Sequence, residues 1–238
     1  MTLAALPAIL APALLCQPVL AYKGGDVIVR AGVAIVDPSG VDSSTLTLNG
    51  AKLPGTSVDS IDSDTQLGLT GVYMFTDYFG LELLAATPFT HNIKAKGLEG
   101  LGIRKVGDTK QLPPTLSAQL YPLGFSQPES KFQPYIGIGL NYTTFWDENA
   151  SSQLENGLSA VTGVTEKYSM NLDDSWGIAG QIGLDYAIND HFLINAAVWR
   201  INIETDATFK GKTTGTQVKA DNVKVNPWVY AVTVGYRF

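Results

Sequence analysis

The stretch Asn226-Pro-Trp-Val-Tyr-Ala-Val-Thr-Val-Gly-Tyr-Arg-Phe238 closes the chain and decides its fold. Alternate residues Trp228, Tyr230, Val232, Val234, Tyr236 and Phe238 are apolar or aromatic. The intervening Val229, Ala231, Thr233, Gly235 and Arg237 are mostly small or polar. A period of two is a β-strand with two unlike faces. Aromatics at both ends of the apolar face suit a strand crossing a bilayer, where rings sit at the two interfaces. Trp228, Tyr230, Tyr236 and Phe238 are then expected to face lipid, and Arg237 the interior or the periplasmic rim. A final strand ending on Phe is what barrel-assembly machinery typically reads, so Tyr236 and Phe238 form a candidate membrane-assembly terminus. The competing reading is the edge of a soluble β-sandwich.

The opposite end is consistent with export. Residues 1–21 carry no charge and are rich in Ala, Leu and Pro. The apolar core Leu3 to Leu15 is too short for a membrane-spanning helix but suits a signal peptide, with cleavage expected after Ala21. The usual basic residues at the start of such a peptide are missing. The sole cysteine, Cys16, falls in this segment, and Leu15 before it does not suit lipidation. A mature chain from residue 22 to 238 would then contain no thiol, which excludes disulfide scaffolds and thiolate metal sites. The net charge of −6, with no basic cluster, argues against nucleic acid as a partner.

Seven further segments alternate like the last. They run Asp26–Asp37, Thr65–Phe75, Gly80 to about Asn92, about Gln111–Tyr121, a run around Ile136–Trp146, another around Trp176–Tyr186, and about His191–Thr205. In the third, Leu81, Leu83, Ala85 and Phe89 oppose Glu82, Leu84, Ala86 and Pro88, and the same phase turns His91 outward. In the seventh, Phe192, Ile194, Ala196 and Val198 face out and Asn195, Ala197 and Trp199 face in. Arg200, Asn202, Glu204 and Asp206 would then face outward above the hydrocarbon. Connections alternate between short (76–79, 122–132, 188–191) and long (38–63, 93–110, 148–172, 207–221). Eight strands with short turns at one end and long loops at the other describe an all-β, eight-stranded antiparallel transmembrane β-barrel of the outer membrane of a Gram-negative bacterium. A soluble eight-stranded barrel is the competitor. Small and polar inner residues fit a narrow lumen better. Thr115, Ser117, Gln119, Asn141, Thr143, Gln181 and Asp185 are the expected lumen lining.

Several motifs resemble one family in order along the chain. They are Thr65-Gln-Leu-Gly-Leu69, Leu81-Glu-Leu-Leu-Ala-Ala-Thr-Pro-Phe89, Gln111-Leu-Pro-Pro-Thr-Leu116, Asn141-Tyr-Thr-Thr-Phe145, Asp174-Ser-Trp-Gly177, Gly183-Leu-Asp-Tyr186 and Gly235-Tyr-Arg-Phe238. Together they resemble the OmpW family of Gram-negative outer-membrane proteins, which includes OprG and the alkane-uptake protein AlkL. The resemblance implies a narrow, largely apolar channel, closed toward the periplasm, that takes up small hydrophobic molecules and releases them sideways into the membrane. It also implies a channel constriction at Leu84 and Trp199, and a lateral opening at Pro88.

Proline chemistry bears on that opening independently. Proline has no N–H for the ladder, so Pro88 costs its strand a rung, and Pro113 and Pro114 do the same on the next strand. Prolines on both strands would weaken one seam at one depth, which makes Pro88, Pro113 and Pro114 a candidate lateral gate. The alternative is a strand end bending into a loop. Likewise, Leu84 and Trp199 could be packing residues plugging a small barrel.

Catalysis finds no support, because neither His91 nor His191 is expected in a lumen with partners. Asp59, Asp62 and Asp64 lack the glycine and distal glutamate of a calcium loop and read as a solvated acidic loop. Neither a cofactor nor a metal site is expected. The expectation is passive uptake of small hydrophobic cargo by a monomer embedded in outer-membrane lipid and lipopolysaccharide. Two rivals stand beside it: a narrow channel for small polar solutes such as amino acids or ions, and a closed barrel anchor whose loops bind partners.

Overall fold

The computed structural model describes residues 22–127 and 129–238. The expected signal peptide, with Cys16, lies outside the described residues. Eight strands form a closed antiparallel sheet: β1 (Val27–Asp37), β2 (Asp64–Met74), β3 (Phe79–Ala86), β4 (Thr115–Leu120), β5 (Phe132–Ala150), β6 (Ser175–Ala187), β7 (Phe192–Ile201) and β8 (Trp228–Arg237). Each pairs with its neighbour in the chain. β8 then returns to β1, in a register running from Ile28↔Arg237 to Asp37↔Trp228. Closure leaves the transmembrane part without an unpaired edge. No described helix is long and apolar enough to cross a membrane.

The alternation seen in the sequence becomes two surfaces. Val33, Leu83, Ile138, Leu140, Ile182 and Val232 are each more than half exposed. Such a contiguous apolar exterior is stable only against lipid. One ring of aromatics, including Phe75, Phe132, Tyr186, Phe192, Tyr236 and Phe238, lies near the short turns and chain ends. Another lies at the opposite end, where Tyr142 packs on Trp176 and Arg200 on Trp228. From Phe132 to Tyr142 the chain climbs about 25 Å, at ~3.3 Å per residue and a tilt of ~40°, which matches an apolar band.

Small inner residues are a packing requirement. A Cβ on Gly183 would sit 2.2 Å from the Tyr135 ring, and one on Gly139 would sit 2.4 Å from Ser117 Oγ. Eight strands leave room for a layer of side chains and little else.

Above the bilayer the wall does not dissolve into loops, which corrects the expectation for 38–63, 93–110, 148–172 and 207–221. The upper part of β5 pairs with Lys105–Leu112, which pairs with Phe89–Lys96, which pairs with Ser57–Ile61. On its other side, Tyr168–Leu172, Glu204–Gly211 and Gln217–Lys224 continue the sheet. These segments alternate inward, as in Tyr168, Met170 and Leu172, but are mixed with polar residues outside because their outer face meets water. Helix Ser152–Thr162 joins the extension to it, capped by Ser151 Oγ, which accepts from Leu154 N at 3.1 Å, and ended by Gly163 at φ 72°. Its Leu154 and Leu158 are buried.

Candidate functional site

The interior is organised in layers. The lowest is polar and closed. Arg30 on β1 reaches Asp185 on β6 through Nε (3.1 Å) and Nη2 (2.5 Å), and Glu82 on β3 through Nη1 (3.2 Å). Its Nη2 also donates to Tyr121 Oη. Tyr22 donates to Asp185, Asn195 donates to Asp185 and to Tyr135 Oη, and Gln181 donates to Glu82. Gln119 joins by donating to Gln181 and accepting from Tyr121. The guanidinium and both carboxylates are at most 1% exposed. Charges so far from water persist only when paired and hydrogen-bonded, as here. This network fills the periplasmic end of the lumen. Sequence reasoning missed Arg30, Glu82 and the three tyrosines. The signal was available, because Arg30 and Glu82 stand on the inner phases of their segments with opposite charge.

The middle layer is apolar. Leu84 is the next inward residue above Glu82 and is 5% exposed; Trp199 is 1% exposed. β3 and β7 stand opposite one another in the closed order, so the two side chains come from facing walls. Leu84 shares a small cavity of about 10 Å³ with Val229 and Ile201, respectively the cross-strand partner of Trp199 and its next inward neighbour. Thr115, Ser117, Asn141 and Thr143 are buried on the inner faces beside this layer. Asn141 donates to Thr115 and Thr143 donates to Asn141.

The same cavity reaches Ala85, Ala86, Phe89 and Pro113 at the wall. There the ladder stops. The last β3–β4 pair is Leu84↔Thr115, and the next pair across the same seam is Phe89↔Gln111. Across this seam residues 85–88 and 112–114 form no pair, although Ala85 and Ala86 still pair with Leu69 and Gly68 on β2 and Leu112 with Thr144 on β5. The facing strand carries Pro113 and Pro114. On the β2 side the last ladder bond is Thr87 N to Leu67 O at 2.9 Å. Beyond it, Thr90 N donates to the Asp64 carboxylate instead of to backbone. Thr87 Oγ1 also accepts from Leu67 N and donates to Gln66, so Thr87-Pro88 is a short piece of wall held on the β2 side and untied on the side of Pro113 and Pro114.

That interruption overturns two expectations. Below it the inward residues are Glu82 and Leu84; above it they are Phe89, His91, Ile93 and Ala95. The phase slips by one across Thr87-Pro88, and a one-residue slip exchanges faces. Phe89 and His91, expected outside, are 1% and 2% exposed inside the barrel. Pro88, expected on the inner phase, is exposed. His91 Nδ1 lies 2.6 Å from the Asp62 carbonyl, which can only accept, so Nδ1 carries the proton and Nε2 accepts from Gln111 at 3.0 Å. Burial pushes the imidazole below its ordinary value, against the raising influence of that carbonyl, Asp64 and Asp62. Asp62 pairs with Lys94, Asp59 with Arg104, and Asp64 accepts from Gln66 and Thr90.

Above His91 the interior is lined by Val58, Ile61, Ile93, Phe145, Leu172 and Val223, around a cavity of about 20 Å³. At the extracellular tip an open cleft of about 290 Å³ lies among Leu53, Leu98, Leu101, Ile103, Leu158 and Val161. The sequence pattern places these positions in loops. The Leu154/Leu158 spacing and the Ser151 cap were the available signal. At the other end, Phe238 N donates to Val27 O, and the Phe238 ring packs edge-on against Tyr236 at 4.7 Å. Arg237 lies at the rim, with Nη1 3.8 Å from Asp26.

A closed eight-stranded antiparallel barrel with a lipid-facing apolar band defines a transmembrane β-barrel of the Gram-negative outer membrane. The chain belongs to the OmpW family, whose model matches residues 23–238. Outer membrane protein W of Vibrio cholerae serotype O1 is 46% identical over 226 residues, covering 95% of this chain and 94% of that one. The crystal structure of the outer membrane protein OprG from Pseudomonas aeruginosa superposes with a TM-score of 0.80 at 48% identity, covering 92% of this chain and 98% of that one. A more distant relative, 24% identical over 198 residues and covering 82% of each chain, is the dibenzothiophene metabolism operon protein PahQ of Pseudomonas aeruginosa.

Proposed function

We propose that this barrel is a passive uptake route for small hydrophobic compounds, with release sideways into the outer membrane. The observation that carries the reading is one juxtaposition: an apolar interior cavity runs from Leu84 to a wall segment, Ala85–Pro88, that lacks ladder bonds to the strand carrying Pro113 and Pro114, directly above a charged plug. Cargo collected in the apolar cleft at the tip descends past Ile93 and Phe89 and meets Leu84 and Trp199. These two act as a floor over the plug. The remaining exit is lateral, between Pro88 on one strand and Pro113 and Pro114 on the next. The enclosed cavities hold little more than one water each, so passage requires side chains to move. The operon named for PahQ concerns an apolar aromatic compound, which accords with hydrophobic cargo.

The plug bears on the rivals. A polar solute moving along the axis would have to break the Arg30–Asp185–Glu82 network, which disfavours axial conduction. The same plug favours a closed anchor that transports nothing, so the test must separate uptake from anchoring. Liposomes containing the purified barrel are assayed for entry of an alkane, an amino acid and a small ion, with Pro88→Ala as the variant. Lateral release predicts alkane entry alone, slowed by the variant. Equal entry by liposomes with and without the barrel supports the anchor. Entry of amino acid or ion, insensitive to Pro88, supports the axial channel.

A further inference from the structure

On the outer surface one residue is out of keeping with its surroundings. Arg200 projects from β7 at the level of the upper aromatic ring, in the cross-strand row Gly180–Arg200–Trp228–Asp37. Its guanidinium lies 5.0 Å from the Trp228 ring centroid, and Nη1 is buried without a hydrogen-bond partner among the described residues. On its other side is Gly180, where an added Cβ would meet nothing within 4 Å. One step toward the membrane centre, the same strands form an apolar groove of about 470 Å³ between Ile182, Leu184, Ala196, Val198, Tyr230 and Val232. The small Ala196 among larger neighbours makes the groove.

A cation at the boundary of the hydrocarbon is costly unless an anion meets it. A groove opening into hydrocarbon accepts an alkyl chain. The two features adjoin, at the end of the barrel that carries the extracellular extension and therefore in the outer leaflet. We propose that β6, β7, β8 and β1 together form a binding site for lipid A, with one phosphate over Gly180 against Arg200 and an acyl chain in the groove around Ala196. The ring of Trp228 separates Arg200 from Asp37, and Glu204 stands two outward positions higher, so the phosphate meets one cation and no adjacent carboxylate. Lipid A suits the site better than a phospholipid because its phosphates sit in the leaflet that Arg200 faces.

Purified barrel in detergent is titrated with diphosphoryl lipid A, dephosphorylated lipid A and phosphatidylglycerol, and bound lipid is counted by native mass spectrometry. Arg200→Gln is expected to weaken lipid A binding about tenfold, the size of one charge-assisted contact, and to leave the dephosphorylated form unaffected. Arg200→Lys should recover part of the loss. Ala196→Leu, which fills the groove on a lipid-facing surface, is expected to weaken both forms. Unchanged binding by either Arg200→Gln or Ala196→Leu overturns the site. Phosphatidylglycerol binding as tightly as lipid A overturns the choice of ligand.

Discussion

Replacing Arg30 with methionine tests whether the polar plug is a dry, charge-satisfied layer. Methionine keeps most of the stem volume, so the change is mainly electrostatic. Three bonds to two carboxylates disappear: Nε and Nη2 to Asp185 at 3.1 and 2.5 Å, and Nη1 to Glu82 at 3.2 Å. Asp185 would still accept from Tyr22 at 2.6 Å and Asn195 at 2.8 Å, and Glu82 from Gln181 at 2.8 Å. Those neutral donors do not balance two buried charges. Removing one partner of a buried pair costs about 3–5 kcal/mol, and Arg30→Met should fall in or above that range. Glu82→Gln should cost far less, about 1 kcal/mol or below, because it leaves one cation against one anion with the closer pair intact. Combining Arg30→Met with Glu82→Gln and Asp185→Asn removes all charge and should recover most of the loss. Equilibrium urea unfolding in lipid vesicles, followed by tryptophan fluorescence, measures all three variants. A loss below about 1 kcal/mol for Arg30→Met would refute the reasoning, since it would mean that water reaches the carboxylates.

Further outcomes follow from other parts of the barrel. Pro88→Ala restores one N–H donor, worth at most about 0.5–1.5 kcal/mol; hydrophobic release should slow about two- to tenfold with stability unchanged or raised, and unaltered uptake by an intact barrel would remove the lateral gate. Trp199→Ala should cost about 3 kcal/mol, because the indole is packed rather than solvated, and should speed entry of bulky apolar cargo; a stability loss without any change in uptake would make Trp199 a plug. Deleting Phe238 removes its bond to Val27 O and its packing on Tyr236, and should reduce assembled protein in the membrane without altering uptake per assembled barrel; normal yield would contradict this. His91 is held neutral by burial, so the unfolded chain binds its proton more readily. Stability tied to His91 is therefore present above the ordinary imidazole value near pH 6.5 and is lost as pH falls below it toward the depressed folded value. His91→Gln should flatten unfolding midpoints between about pH 7 and pH 5 relative to the parent, with Asp62, Asp64 and Lys94 unchanged as its charged neighbours.

Alternation along the chain was enough to determine eight strands, their order, their inner and outer faces through the bilayer and the membrane they cross. Each of those follows from a local rule: side chains alternate, and a closed lipid-facing sheet must be apolar outside and small or polar inside. The segments from Asp26 to Asp37 and from Asn226 to Phe238 could be read this way because nothing interrupts their period. The Leu81-to-Asn92 segment could not. Periodicity assumes an unbroken ladder, and Thr87-Pro88 breaks it, so Phe89 and His91 came out on the wrong face. Only the pairing on either side, Leu84↔Thr115 and Phe89↔Gln111, reveals the slip. The extracellular extension was hidden for a different reason. Its outer face meets water, so its strands lack the apolar signature that marks a bilayer crossing. The plug needed the closed barrel most of all. Arg30, Glu82 and Asp185 are far apart in the chain, and each looked like an isolated polar residue on an inner face. Burial without water makes their pairing obligatory, and burial is a property of the closed wall, which no single strand possesses.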